Sequence, residues 1–127
     1  MATIKSYTDI SQSKKLAEIL PLESADMHYC LENRDVATGY EIGIVPFIQA
    51  KRFKGKCSIV DVQPAWSLAS LLGVLPEYNL QRTDWETKTE YKIVVTTDED
   101  NYASKNYNNP VDACVAIIEK LNELKLL

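Results

Sequence analysis

The sequence predicts a single α+β domain over residues 1–127, with about three helices packed on a mainly antiparallel sheet of four or five strands. Three segments combine helical apolar spacing with helix start and stop residues. Other segments alternate in polarity or are rich in β-branched and aromatic residues, as strands are. The two kinds of segment do not alternate regularly along the chain, and this favours antiparallel over parallel βαβ pairing.

The first predicted helix runs from about Ser11 to Leu20. Thr8 or Asp9 can cap it, because a side-chain oxygen there can accept from an open N–H group of the first turn. Pro21 ends the helix, since a residue that precedes proline is displaced from helical geometry.

Strands are predicted on both sides of the middle of the chain. The first three are Met27–Leu31, Tyr40–Ile48 and Cys57–Val62. Pro46 favours an edge position or a bulge for the second of them, because proline cannot donate to a ladder. The clearest strand is Thr87–Thr97, where apolar and polar residues alternate with a period of two.

The middle helix is predicted from about Pro64 to Leu75, with Pro76 as its end. Its large apolar side chains point in almost every direction, a pattern typical of a helix buried on most sides. Ser67 and Ser70 form a stripe of small residues that permits close approach. Either the first and last helices flank this helix, or part of it meets a second copy, and the sequence leans toward a symmetric homodimer.

The last helix, Pro110–Leu126, is predicted by the fullest set of signals. Asn109 is a favourable N-cap, proline suits the first helical position, and Asp112 places negative charge near the positive helix end. The apolar residues recur at helical spacing. We therefore expect Val115 and Ile118 to be almost fully buried.

Three segments coincide with these helices: QSKKLAEILPLESADM (Gln12–Met27), PAWSLASLLGVLP (Pro64–Pro76) and NPVDACVAIIEKLNELKLL (Asn109–Leu127). Together they resemble a family of short, uncharacterised proteins from gut-dwelling anaerobic bacteria, their prophages and related mobile elements. The resemblance covers a little under half the chain and implies an accessory role in such an element. It transfers no catalytic residue, and we expect any specific function to lie in the divergent segments 29–62 and 81–108.

The composition is that of a globular protein, with 46% hydrophobic and 25% charged residues. The first ten residues show no secretory signal, and no apolar run reaches the roughly 20 residues that span a bilayer. Three cysteines without paired spacing fit reduced thiols. These features predict a cytoplasmic protein with no membrane partner.

The residues suited to catalysis or metal binding are few. His28 is the only histidine, and Cys30 would share its side of a strand roughly 6.5 Å away, so a small enzyme with an imidazole-activated thiol is one alternative. The competing interpretation is a satisfied histidine beside a small buried cysteine. Together with Cys57 and Cys114 these residues lack the short spacing of a structural zinc site, and the sequence predicts no metal and no cofactor.

A second alternative is a nucleic-acid accessory protein that uses the basic segment Lys51–Lys56, which surrounds Phe53. Cations interleaved with an aromatic ring can bind single strands by charge and stacking. The net charge of −4 argues against strong binding to phosphates, so nucleic-acid binding is expected to be weak.

Aromatic residues are the candidate binding residues of the leading hypothesis, which is a non-enzymatic binding or interaction module with a protein or small-molecule partner. Rigid amphipathic rings suit recognition. The competing interpretation is that each ring packs locally. The candidates are Trp85, Tyr78, Tyr102, Tyr107 and Phe53.

Overall fold

The computed structural model describes residues 5–35, 39–46 and 63–127. In chain order the elements are α1 (Ile10–Ile19), a 3₁₀ turn (Leu22–Ser24), β1 (Met27–Asp35), β2 (Gly39–Pro46), β3 (Gln63–Ala65), α2 (Leu68–Val74), β4 (Tyr78–Asp84), β5 (Thr89–Thr96), β6 (Asn101–Ala103) and α3 (Pro110–Glu123). The predicted strand Cys57–Val62 lies outside the described residues.

The α+β class and the antiparallel pairing are confirmed. The described strands form two three-stranded sheets, in the orders β2-β1-β3 and β4-β5-β6, and every pair is antiparallel. The prediction placed four or five strands in one sheet. The division falls at α2: among the described residues, the strands before this helix and the strands after it pair only within their own group.

Helix α1 begins one residue before its predicted start and is closed by a capping box. The Asp9 carboxylate accepts from the Gln12 N–H at 2.7 Å, and the Gln12 side chain accepts from the Asp9 N–H at 3.1 Å. The alternative cap, Thr8, is fully buried, and its hydroxyl shares a 2.8 Å hydrogen bond with Ser13. Asp9 is thus the cap, and Thr8 belongs to the interior.

The middle helix differs from its prediction at its start and in its burial. Pro64 lies in β3 opposite His28 of β1, and α2 begins only at Leu68, after the N-cap Ser67. Leu71 alone is fully buried, so the expectation of a helix buried on most sides is wrong. With two turns, α2 is covered along one side by α3 and the 3₁₀ turn, and Gly73 faces open space.

The small-residue stripe of that helix is engaged within the chain. Asp26 accepts from both the N–H and the hydroxyl of Ser67, and the Ser67 hydroxyl accepts from the Ser70 N–H at 3.2 Å. Burial alone would raise the pKa of Asp26, but these bonds outweigh it and hold the pKa below its usual value. The two serines therefore anchor the start of α2.

Helix α3 is the centre of the fold and contacts β5, α1 and α2. Asn109 caps it as predicted, accepting from the Asp112 N–H at 2.8 Å. Val115 is 5% exposed and Ile118 is fully buried, which confirms the expected burial. The main core residues, taken from this helix and from the elements packed on it, are Leu16, Trp66, Leu71, Ile93, Val95, Val111, Cys114, Ile117 and Leu121.

The end of α3 falls at Glu123, three residues before its predicted end. Lys125 adopts a positive φ of 58°, and its N–H donates to the Asn122 carbonyl at 3.0 Å while the Leu126 N–H donates to the Leu121 carbonyl at 2.8 Å. These two bonds form a Schellman motif, which satisfies carbonyls of the last turn. None of the helices in the described part of the chain is long and apolar enough to cross a membrane.

Candidate functional site

The hairpin formed by β4 and β5 combines a strand packed on the core, β5, with a largely exposed strand, β4. Its register runs from Tyr78 opposite Val95 to Asp84 opposite Thr89. The Trp85 N–H donates to the Lys88 carbonyl at 2.7 Å and closes the turn. The hairpin therefore has a regular ladder along its length and an indole at its tip.

Strand β4 contributes little to the core. Six of its seven residues are exposed, and Leu80 is half-buried. Trp85, just beyond the strand, is 55% exposed, and Tyr78 at the other end is 42% exposed. Since helix α3 lies against β5, the core ends at β5 and leaves both faces of β4 largely open to solvent.

The backbone groups of β4 alternate between the two sides of the strand. The Thr96 N–H donates to the Glu77 carbonyl at 2.8 Å, and the same register gives the Trp85–Lys88 bond, so odd-numbered residues bond toward β5. The even-numbered residues consequently direct their N–H and C=O groups away from β5. No other described strand pairs with this outer edge.

Side chains of those even-numbered residues share the face that β5 turns toward the core. Tyr78, Leu80 and Arg82 stand opposite the buried Val95, Ile93 and Tyr91. The fourth even-numbered residue of β4 is Asp84, which lies opposite Thr89. They form an open shelf beside the core, and this shelf with the outer edge of β4 and Trp85 is the candidate site.

Arg82 and Asp84 form an ion pair on this shelf. The guanidinium Nε donates to Asp84 Oδ1 at 3.0 Å, and the Thr89 hydroxyl donates to the same oxygen at 2.8 Å. The Thr89 bond, followed by the one from Arg82, lowers the pKa of Asp84. Both side chains are 61% exposed, so the pair shapes the surface more than it stabilises the fold.

The predicted aromatic residues lie in different places. Tyr78 and Tyr102 flank Val95 across the ladder and share its face, while Tyr107 packs on the core beside β5 through two backbone hydrogen bonds with Tyr91. Trp85 is seven residues from Tyr78 along the strand, or roughly 23 Å. The structure thus brings the first two together and leaves Trp85 at the other end.

Phe53, the remaining candidate, lies outside the described residues, as does the basic segment Lys51–Lys56. Sequence reasoning missed β4 itself, and with it Leu80 and Arg82. The signal was present in the alternation of Tyr78, Leu80 and Arg82 with polar residues ahead of a polar turn. That these aromatic side chains bind a partner stays a prediction.

His28 is buried in β1, with 1% of its surface exposed. Desolvation lowers the pKa of its imidazole below the ordinary 6.5, because burial disfavours the charged ring. An imidazole in this position is poorly placed to meet a substrate from solvent. The side chain of Cys30, its partner in the enzyme alternative, lies outside the described residues.

The burial of His28 predicts a pH dependence of stability. The unfolded chain takes up a proton near pH 6.5 more readily than the folded one, so stability is complete above that pH and falls as the pH drops below it. In His28→Leu the urea midpoint should therefore change less between pH 7 and pH 5 than it does in the unchanged protein. A constant difference between the two proteins from pH 8 to 5 would contradict this expectation.

The described cysteine outside β1 is Cys114 of α3, which is fully buried. Burial raises the pKa of its thiol to about 12, so it stays neutral and is a poor nucleophile or metal ligand. Within residues 5–35, 39–46 and 63–127, no three His, Cys, Asp or Glu side chains are placed to hold a metal ion. Cys57 lies outside the described residues.

A polar cluster joins the N-termini of α1 and α3. Lys5 Nζ donates to Asp9 at 3.1 Å and to Asp112 at 2.9 Å, and the Gln12 amide donates to Asp112 at 2.8 Å. Burial would lower the pKa of Lys5, but the two carboxylates outweigh it and raise the pKa. The cluster caps both helices and ties the N-terminal segment to the core.

Comparison of the chain with models of protein families, with curated proteins and with solved structures gave no match.

Proposed function

We propose that this protein is a non-enzymatic interaction module whose recognition element is the β4–β5 hairpin. The observation that carries the proposal is the exposure of β4 on both faces together with Trp85 at its end. A strand with so little burial adds few core contacts to offset the conformational entropy that is lost when it is ordered. A role in recognition accounts for a regular seven-residue strand at this exposed position.

The outer edge of β4 suits the addition of a strand from a partner. In this mode of recognition the main chain supplies hydrogen bonds, and alternate side chains supply specificity. Tyr78, Leu80, Arg82 and Asp84 direct outward the backbone groups that pair with no described strand, and they place an aromatic, an aliphatic and a charged pair along one face. The preferred partner is therefore an extended protein segment, with Trp85 as an additional contact.

The cellular setting is proposed from the resemblance of the three helical segments. In this proposal the protein is a cytoplasmic accessory protein of a bacterium, a phage or a related mobile element, and it acts by binding rather than by catalysis. The deep burial of His28 supports this choice over the enzyme alternative, because the ring is withdrawn from solvent.

The proposal can be tested by selecting a display library of extended peptides on the immobilised protein. Arg82→Pro removes an outward N–H while leaving the inward ladder of β4 intact, as proline is tolerated at such edge positions. We expect enriched peptides to bind the unchanged protein and to lose at least about tenfold in affinity on Arg82→Pro, because part of the main-chain pairing is lost.

Arg82→Ala is the matched control, since it removes the same side chain and retains the N–H. It should weaken binding less than Arg82→Pro does. Equal losses in the two variants would show that the side chain acts without strand addition. A library that yields no peptide, on a protein whose β4 edge also meets no second copy, would refute the hairpin as the recognition element.

A further inference from the structure

We infer that the strand which pairs with β4 comes from a second copy of this chain, in an antiparallel register with the two-fold axis at Leu80. This inference rests on the proposed function and names the partner of the same edge. The β4-β5-β6 sheet of each copy would then join that of the other copy in one continuous sheet. The symmetry is that of the commonest closed oligomer, in which one patch meets itself.

The backbone restricts the registers that are available. Only even-numbered residues present outward N–H and C=O groups, so an even residue must face an even residue. With the axis at Leu80, Tyr78 faces Arg82 of the second copy, and Leu80 faces Leu80. These three residue pairs supply about six hydrogen bonds, and Pro76, which lacks an N–H, ends the ladder.

The side-chain contacts across the pair distinguish the remaining registers. The axis at Leu80 sets two half-buried leucines against each other and places each guanidinium of Arg82 over the ring of a 42% exposed Tyr78. Aliphatic contact and cation–π attraction both favour this arrangement. An axis at Gln81 would bring the two Arg82 side chains diagonally together, and an axis at Arg82 would place them directly opposite.

The strand lacks several of the devices that usually prevent edge pairing, and its two charged residues, Arg82 and Asp84, are paired with each other. The sequence YNLQRTD contains no lysine, proline or glycine, and β4 is a regular strand paired along all of its seven residues. Its exposed residues leave room for a neighbour on both faces. The strand is complementary to itself in backbone hydrogen bonding, in the contact of Leu80 with Leu80 and in the placement of Arg82 against Tyr78, and this favours a second copy over an unrelated segment.

Disulfide trapping tests both the partner and the register. In a background with Cys30→Ser and Cys57→Ser, Leu80→Cys should form a disulfide-linked dimer on mild oxidation, because directly paired residues lie about 5.5 Å apart at Cα. Gln81→Cys is the matched control. It faces Asn79 of the second copy, so two such cysteines lie roughly 8 Å apart and should not link.

Preferential linking through Gln81→Cys would overturn the register, and no linking in either variant would overturn the dimer. Because Leu80→Cys removes an apolar contact, amide hydrogen exchange of the unchanged protein provides an independent measurement. The Leu80 and Arg82 amides should slow by about tenfold or more between micromolar and millimolar protein, while the Gln81 amide stays constant.

Concentration-independent exchange together with a strictly monomeric mass would also refute the second copy. The proposed function would survive that outcome if selected peptides still distinguish Arg82→Pro from Arg82→Ala. If both the peptide selection and the self-pairing experiments fail, the hairpin is not a recognition element. The two proposals can therefore fail separately.

Discussion

Trp66→Ala should lower the free energy of unfolding by about 3–5 kcal/mol, the usual cost of emptying a core site of this size. The Trp66 side chain is fully buried, and its indole N–H donates to the Ser24 hydroxyl at 2.9 Å. Truncation removes the apolar contacts and leaves Ser24 without this donor. The backbone of Trp66 also joins the N-terminal segment to the core. The Thr8 N–H donates to the Trp66 carbonyl at 3.0 Å, and the Trp66 N–H donates to the Thr8 hydroxyl at 3.1 Å.

Trp85→Ala is the matched control, because it makes the same substitution at a ring that is 55% exposed. Its effect on stability should stay within about 0.5 kcal/mol. Urea denaturation followed by far-ultraviolet circular dichroism measures both variants without depending on the tryptophans themselves. Similar urea midpoints for the two variants would show that the indole of Trp66 does not contribute substantially to the stability of the core.

Ile118→Ala should cost about 2–5 kcal/mol, since the side chain is fully buried in the central helix α3. The expected signature is a lower urea midpoint with an unchanged slope, because the surface exposed on unfolding stays nearly the same. The cavity would open at the junction of α3 with its neighbours. The loss should therefore exceed that of a truncation on the rim of the fold.

Asn122→Ala on the exposed side of the same helix is the control. It changes helix propensity only slightly and removes no buried contact, so its midpoint should stay close to that of the unchanged protein. If Ile118→Ala melts with the unchanged protein, the core has been assigned to the wrong side of α3.

Local signals were sufficient for the elements whose ends are capped by their own neighbours. Asp9 and Asn109 cap α1 and α3 through bonds that span three residues, and these positions can be recognised without the fold. The alternation of β5 likewise survives folding, with Tyr91, Ile93 and Val95 buried as a set. For the two caps the decisive interaction is close in sequence, and for β5 the period-two pattern lies within the strand itself.

The segment Tyr102–Asn109, which is rich in asparagine and tyrosine, shows where local signals were insufficient. Its first residues join the short strand β6, which begins at Asn101 and pairs with β5, and Tyr107 forms a bridge to Tyr91. The asparagine content favours a turn here, but the edge of β5 offers hydrogen bonds that a free loop would lack. Tertiary pairing therefore outweighed composition.

The candidate site was only partly visible from the sequence for the same reason. Trp85 and Tyr78 could be selected as rings in polar surroundings, and both are exposed. Their separation along β4 could not be inferred, because β4 was not recognised as a strand and its register depends on Glu77 and Thr96. Leu80 and Arg82 acquire their significance only through the direction of their backbone groups.

The sequence by itself determined the α+β class, the cap of α3, the choice of Thr8 or Asp9 as the cap of α1, the buried stripe of α3 and the burial alternation of β5. Only the tertiary structure decided that Pro64 belongs to a strand, that Trp66 is a core residue outside any helix, and that β4 is left exposed at a sheet edge. The first set follows from cap residues and from the spacing of apolar residues, which are patterns within each segment. The second depends on which distant segments compete for the same surface, and that competition is resolved only when the whole chain packs.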